Sequence, residues 1–347
     1  MILSNAEDTN KVLMKKLAKA ETVGNQQIPV DSNFRPKSLK ELIGREKEKH
    51  ILSLLIKSTQ KKWEVGKKAA ADHVLVYGPP GLGKTTIAHI IANELGVALK
   101  VTSGPAIERQ GDLIAMLTNL SAGDVLFIDE IHRLRKPVEE ILYPALEDFQ
   151  VDIMVGQGTA AQAVRFTLPP FTLIGATTRV GLLSSPLRDR FGVLMHLDFY
   201  SESELAQMVN RLIANDGFSV ESEAVSEIAK RARGTARIAV RLYKRVLEYA
   251  TVHNEGVVTK DTAKALLDLL GIDHLGLDRL DRLIIEQVIS KYSGVGLKTI
   301  AAAVAEDEET IESVYEPFLL RSGLLKRTPR GRVVTDLGYS HLGISPV

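Results

Sequence analysis

The sequence predicts an α/β protein in three folded parts: a phosphate-loop domain with a parallel sheet, a small all-helical domain, and a C-terminal winged helix. Three observations carry this. From about Asn33 to Tyr200, short apolar runs such as "HVLVYG", "DVLFIDE" and "FTLIGATT" alternate with helical patterns, the grammar of strands joined by crossover helices. Between about Ser201 and Leu270 the strand signals vanish and only helical periodicity remains. After Ile272, three helical segments precede apolar pairs that flank a Pro-Arg-Gly turn, the order of a helix-turn-helix with a β wing.

Composition bounds the functional classes. The 347 residues are 45% hydrophobic and 25% charged with a net charge of +1, so any case for a nucleic-acid partner must rest on local charge. Cysteine is absent, which excludes disulfides, thiolate metal sites and cysteine nucleophiles and fits a reducing compartment. The opening residues lack a leader-like apolar core, and no run approaches the ~18 apolar residues of a membrane span. A soluble, cytoplasmic protein without a membrane partner is expected.

Residues 1–32 are polar and read as an N-terminal arm. The first domain, 33–199, contains "GPPGLGKTT" from Gly78 to Thr86, which fits G-x-x-x-x-G-K-[ST]. Average composition gives such a match on the order of once per hundred chains of this length, so accident is a poor explanation. The helix-like run from Thr85 to Leu95 follows it and "HVLVY" precedes it. Glycines let the loop turn its N–H groups and the helix N-terminus toward an anion. Lys84 is then placed to neutralise β- and γ-phosphates, and Thr85 to offer a hydroxyl to Mg²⁺. "VLFIDE" sets two acids at the end of an apolar strand, a costly arrangement unless they bind something. Asp129 suits the metal and Glu130 suits orienting and deprotonating water. Together the two motifs indicate nucleoside-triphosphate hydrolysis. "FTLIGATTR" ends in hydroxyls, of which Thr178, with Thr177 as the alternative, can sense the γ-phosphate. "SPLRDRFG" supplies Arg188 and Arg190, one of which can reach a neighbouring subunit's nucleotide.

The second domain, 200–271, opens on "SESE", a serine-and-acid helix start, and carries Arg237 in "RGTARIA" at another helix start, where it can meet phosphate. In the third, 272–347, Pro317 should kink the helix whose apolar face is Ile311, Val314, Tyr315, Phe318 and Leu319. "KRTPRGR", Lys326 to Arg332, packs four cations into seven residues although this domain holds more acids than bases. A basic tip on an acidic body suits a wing that touches a phosphate backbone through Arg327, Arg330 and Arg332.

These motifs in this order resemble the AAA+ ATPases. "FRPKSLKELIG", "LYPALEDF", "LPPFTLIGATTR", "SPLRDRFG", "RARGTARIA" and "RTPRGR" resemble more closely the RuvB family of Holliday-junction branch-migration motors, over essentially Asn33 to Ile344. The resemblance implies an ATP-driven homohexameric ring on duplex DNA that works with RuvA and RuvC in recombination and repair. It implies ATP/ADP contacts from Phe34, Arg35, Gly81, Lys84, Thr85, Thr86, Glu147, Asp148, Phe149, Arg190, Tyr200 and Arg237, with Thr85 and Asp129 toward Mg²⁺. Arg190 is implied as the finger acting on the next subunit, and residues 151–168 as a hairpin that contacts RuvA. Two alternatives share the ATPase core. A clamp loader would carry a helical collar in place of the wing, and a protein remodeller would bind a protein with its third domain.

Overall fold

A computed structural model describes residues 35–66, 69–155, 162–290 and 294–345. The N-terminal arm and Phe34 lie outside the described residues, and Arg35 is the first position described. None of the described helices is long and apolar enough to cross a membrane.

The first domain begins with helix α1 (Glu46–Glu64) and then builds a five-stranded parallel sheet. Its strands are β1 (Val74–Tyr77), β2 (Leu99–Ser103), β3 (Val125–Asp129), β6 (Thr172–Thr177) and β7 (Val193–His196), in spatial order β2-β3-β6-β1-β7. Between them lie α2 (Lys84–Leu95), α3 (Gln110–Thr118), α4 (Lys136–Glu147) and α5 (Ser185–Arg188). The three central strands are the three apolar runs read from the sequence, because helices cover both faces of a parallel sheet. Every residue of β6 is buried. There Gly175 is required by close packing: a Cβ would lie 2.9 Å from the Phe191 ring and 3.2 Å from Leu75. The order sets β1 and β3 on either side of β6, so the phosphate loop, Asp129 and Thr177 all leave the sheet at one edge. An antiparallel hairpin, β4 (Gln150–Val155) with β5 (Gln162–Thr167), projects from the end of α4. Val164 and Phe166 are exposed on it, and its tip, 156–161, falls outside the described residues.

The second domain is four helices: α6 (Glu202–Asp216), α7 (Ser222–Arg231), α8 (Ala236–His253) and α9 (Lys260–Leu269). The serine-and-acid signal becomes a reciprocal capping box, with Ser201 accepting from the Glu204 N–H and Glu204 accepting from the Ser201 N–H. Tyr243 is fully enclosed in the core, and its hydroxyl donates to Asp216 at 3.2 Å.

The third domain packs α10 (Arg279–Ile289), α11 (Leu297–Val304) and a compound third helix around Leu277, Ile285, Val295, Ile300, Ile311, Leu319 and Leu324. The expected kink has a definite form. The third helix runs as α12 (Glu308–Thr310), a π turn (Ile311–Tyr315) and α13 (Glu316–Arg321), and Pro317 sits in the first turn of α13. There its missing N–H costs little, and the π turn absorbs the clash that its ring would cause in an α-helix. The wing is β8 (Leu325–Thr328) paired with β9 (Gly331–Val334) across the two-residue turn Pro329–Arg330. Gly331 has φ 122°, and a Cβ there would run into the Val295 carbonyl. A short helix α14 (Asp336–His341), capped by Thr335, follows the wing.

The second and third domains meet at a buried ion pair. Arg233 donates to Asp281 at 2.8 and 3.0 Å, its guanidinium 4.7 Å from the Phe318 ring centre. Asp281 has no exposed surface.

Candidate active site at the C-terminal edge of the sheet

The phosphate loop crosses from β1 to α2 on glycines in conformations that L side chains rarely adopt. Gly78 has φ 143° and a Cβ there would strike the Leu197 carbonyl, while Gly81 and Gly83 have φ 79° and 95°. Gly83 caps α2, so the first N–H groups of that helix open into the cradle. Lys84 folds back across it and donates to the carbonyls of Gly78 (2.9 Å) and Pro79 (3.0 Å). Burial pushes its ammonium down to about 8, against the opposing pull of Glu130 and Asp129. A buried cation bonded to neutral carbonyls, at the mouth of a helix N-terminus, fits a polyphosphate.

Asp129 ends β3, and its carboxyl is raised by burial and by the charge of Glu130 beside it. Asp129 also accepts the Glu130 N–H at 3.0 Å. Glu130 has left-handed backbone (φ 46°), which turns its side chain out of the strand direction. Thr178 donates to Glu130 Oε2 at 3.2 Å. Thr177, the alternative sensor, points elsewhere. It is fully buried, and its hydroxyl sits 2.8 Å from His132 Nδ1 and accepts the Arg179 N–H. Among the described residues no three His, Asp or Glu side chains cluster as a metal site. A Mg²⁺ here would draw on Thr85, Asp129 and phosphate oxygens, in keeping with its few protein ligands.

The second domain closes the other side. The Arg237 N–H donates to the Gly81 carbonyl (3.3 Å), so the first turn of α8 abuts the phosphate loop. Tyr200 donates to the Leu82 carbonyl at 3.2 Å. Arg45, which the sequence reading passed over, holds this corner. It donates to the Tyr200 hydroxyl (2.8 Å) and to the carbonyls of Leu82 (3.1 Å) and Asp198 (3.0 Å), its guanidinium 4.1 Å from the Tyr200 ring centre. Gly44 and Arg45 both take positive φ immediately before α1.

Nine of the expected site residues separate into two groups. Lys84, Thr85, Asp129, Glu130 and Thr178 converge at the C-terminal edge of the sheet. Glu147, Asp148, Phe149 and Arg190 do not join them. Phe149 packs against His73 and Phe171, which precede β1 and β6 at the opposite edge. Arg190 pairs with Glu147 at 3.0 Å, lies over the Tyr143 ring and donates to the Pro186 carbonyl. Four to six strand residues separate the two edges, roughly 13–20 Å. Within one chain these four residues therefore stand away from the cradle, as the expectation of Arg190 acting on the next subunit requires, whereas Glu147, Asp148 and Phe149 were expected by the nucleotide without that distinction. Arg190 Nε is buried and finds no partner among the described residues.

The wing arginines also differ from expectation. Arg327 and Arg332 do not fan outward. Both grip the buried Glu316, Arg327 at 2.9 and 2.7 Å and Arg332 at 2.7 and 3.0 Å. Burial alone would raise the Glu316 carboxyl, but the two guanidiniums hold it below its ordinary value. Arg330, in the turn, is exposed and its side chain has no carboxylate partner among the described residues. Glu312 lies one turn before Glu316. It accepts from Arg179 at 2.5 Å and lies 3.8 Å from Arg327, so one carboxylate links the end of β6 to the wing.

Family models match nearly the whole described chain. Residues 34–197 match the Holliday junction DNA helicase RuvB P-loop domain, 200–273 the RuvB AAA lid domain, and 274–343 the RuvB C-terminal winged helix domain. Among solved structures, the Thermotoga maritima RuvB Holliday junction branch migration motor is 49% identical, with 90% of this chain and 99% of that one covered and a TM-score of 0.81. A single-substitution variant of that protein is also 49% identical, with 91% and 100% covered and a TM-score of 0.83. The AAA domain of FIGL-1 in complex with ADP, at 18% identity, 68% and 85% coverage and a TM-score of 0.50, shares the fold alone.

Proposed function

The chain belongs to the RuvB family of P-loop ATP hydrolases, and from that premise we propose that it is a ring motor that drives Holliday-junction branch migration on duplex DNA. The observation that carries the reading is the division of its expected ATP-site residues between two edges of one sheet. Lys84, Thr85, Glu130, Thr178 and Arg237 surround one cradle, whereas Arg190 and Glu147 face away from it, which supports a role toward another copy. A homohexamer, each subunit lending Arg190 to its neighbour, uses both groups. The buried Arg190 Nε, without a partner among the described residues, supports a role completed by a second chain.

In this reading Lys84 and the α2 N-terminus bind the β- and γ-phosphates, and Thr178 senses the γ-phosphate. Glu130 orients the attacking water and takes its proton. Thr85 and Asp129 would hold Mg²⁺, which would neutralise phosphate charge. Arg237 and Tyr200 tie the second domain to the loop. Arg233 and Asp281 pass lid movement to the head, and the wing meets the DNA backbone through Arg330, with Arg327 and Arg332 beside it. The exposed Val164 and Phe166 of the β4–β5 hairpin suit an apolar contact with RuvA, and RuvC joins the same assembly. The winged helix, in place of a helical collar, favours this reading over a clamp loader. The compartment is the cytoplasm.

The test is branch migration of a synthetic four-way junction, with and without ATP and RuvA. Strictly ATP-dependent strand exchange is expected. ATP turnover without any movement, under conditions where RuvA binds the junction, overturns the motor assignment.

A further inference from the structure

We propose that His132 is a positioning residue that keeps the Glu130 carboxylate aimed while ATP is hydrolysed. The inference rests on Glu130 being the water-activating carboxylate and assigns a task to a neighbour that no motif reading gave one. His132 lies on the 3-10 turn Ile131–Arg133, with its side chain only 4% exposed. Its Nδ1 is 2.8 Å from Thr177 Oγ1 and 3.2 Å from Glu130 Oε2. Nδ1 is hydrogen-bonded to Thr177 Oγ1, and Glu130 Oε2 stands within donor reach of the same nitrogen; the tautomer with the proton on Nδ1 is the one that can serve a carboxylate, which only accepts. Burial lowers the imidazole's pKa, in keeping with a neutral ring.

The ring is anchored on both sides. Thr177 Oγ1 is itself fixed by the Arg179 N–H at 2.9 Å, at the end of a fully buried strand. The turn is closed by the Arg133 N–H on the Glu130 carbonyl (2.9 Å) and the Leu134 N–H on the Ile131 carbonyl (3.1 Å). Glu130 Oε2 has a second donor in Thr178. A hydroxyl has a single hydrogen. When Thr178 turns that hydrogen to a terminal phosphate oxygen, Glu130 loses it, and His132 Nδ1, 3.2 Å away, is the donor within reach that can take Oε2 over from it. The other oxygen, Oε1, is then directed at water. Thr178 reads the phosphate and His132 preserves the geometry that the reading would otherwise loosen.

His132→Ala removes the donor, and His132→Asn returns an N–H close to the Nδ1 position. For alanine, kcat should fall about 30–100-fold, the scale of a misplaced catalytic group. Asparagine should recover roughly tenfold of that loss. Affinity for a fluorescent ATP analogue should stay within about threefold, and the melting temperature should stay near the parent's, which a merely structural histidine would not allow. In single turnovers on a Glu130→Gln background, His132→Ala should cost no more than about twofold, because the group it positions has gone. If alanine does not fold, His132→Gln replaces it; its displaced N–H should serve worse than that of asparagine. Parent-like kcat in the alanine variant, equal rates for asparagine and its comparison variant, or an undiminished loss in the Glu130→Gln background overturns the proposal. If Glu130→Gln itself turns over ATP at the parent rate, the Glu130 assignment fails, and the role of His132 fails with it.

Discussion

Replacing Asp281 with alanine should detach the head from the lid at a cost that the structure allows to be worked out. The carboxylate is fully buried, receives both terminal nitrogens of Arg233 and accepts the Asp278 N–H at 2.9 Å. Its loss strands a guanidinium that is itself mostly buried, and breaking such a pair typically costs about 3–5 kcal/mol. The orphaned cap at the start of α10 adds roughly 1 kcal/mol. One feature offsets part of this: Asp278 stands 3.9 Å from Arg233 as a substitute partner. The net expectation is about 3–5 kcal/mol. Hydrogen exchange of the α10 amides is the suitable assay, because a chain of several domains has no single unfolding free energy. Protection there should drop by roughly 10²–10⁴-fold. The double variant Arg233→Met/Asp281→Ala should regain at least ~2 kcal/mol of what the singles predict in sum, since no charge is left buried. A single-variant loss below ~1 kcal/mol, or strict additivity, would refute the reasoning.

Three further outcomes follow from the geometry. The Lys84 ammonium, lowered to about 8 by burial, should be raised by bound phosphates, so binding takes up a proton when the pH exceeds that value. ATP affinity should then weaken up to ~tenfold per pH unit above about 8; titration calorimetry at pH 8.5 in two buffers of unlike ionisation enthalpy checks this, and buffer-independent heats would exclude it. Arg330→Ala should weaken duplex binding and flatten the slope of log affinity against log salt by about 0.9, the share of one phosphate contact, whereas an unchanged slope removes Arg330 from the interface. Arg179→Ala, though it lies in the ATPase domain, should be non-additive with Arg327→Ala in duplex affinity by about 0.5–1.5 kcal/mol, and additivity within ~0.3 would show that Glu312 carries no coupling.

What was legible in the sequence follows burial. The strands β1, β3 and β6 announced themselves because both faces are covered and nearly every position is apolar. The edge strands β2 and β7 did not. Lys100 and Val101 of β2 and Leu194 of β7 are exposed, so neither a continuous apolar run nor a clean alternation survives. The phosphate loop and acid pair were readable because backbone shape and local spacing define them. Arg45 was not, since its partners lie 37 and more than 150 residues away.

The wing shows where a local reading stops and what would have carried it further. A two-residue turn at Pro329–Arg330 makes Arg327 and Arg332 direct cross-strand partners, so both side chains leave the same face of the hairpin. Two like charges placed so are destabilising unless an anion lies between them. That anion had to be an acid on the helix beneath, and Glu312 and Glu316 are the acids on the π turn and the start of α13. Pro317, read only as a kink, belongs to the same construction: the π turn it accompanies lies between those two carboxylates, one turned toward Arg179 and the other held under the wing. The basic cluster is thus two kinds of arginine. One has no carboxylate partner among the described residues, and two are set in place by a carboxylate that a DNA phosphate would have to displace or share.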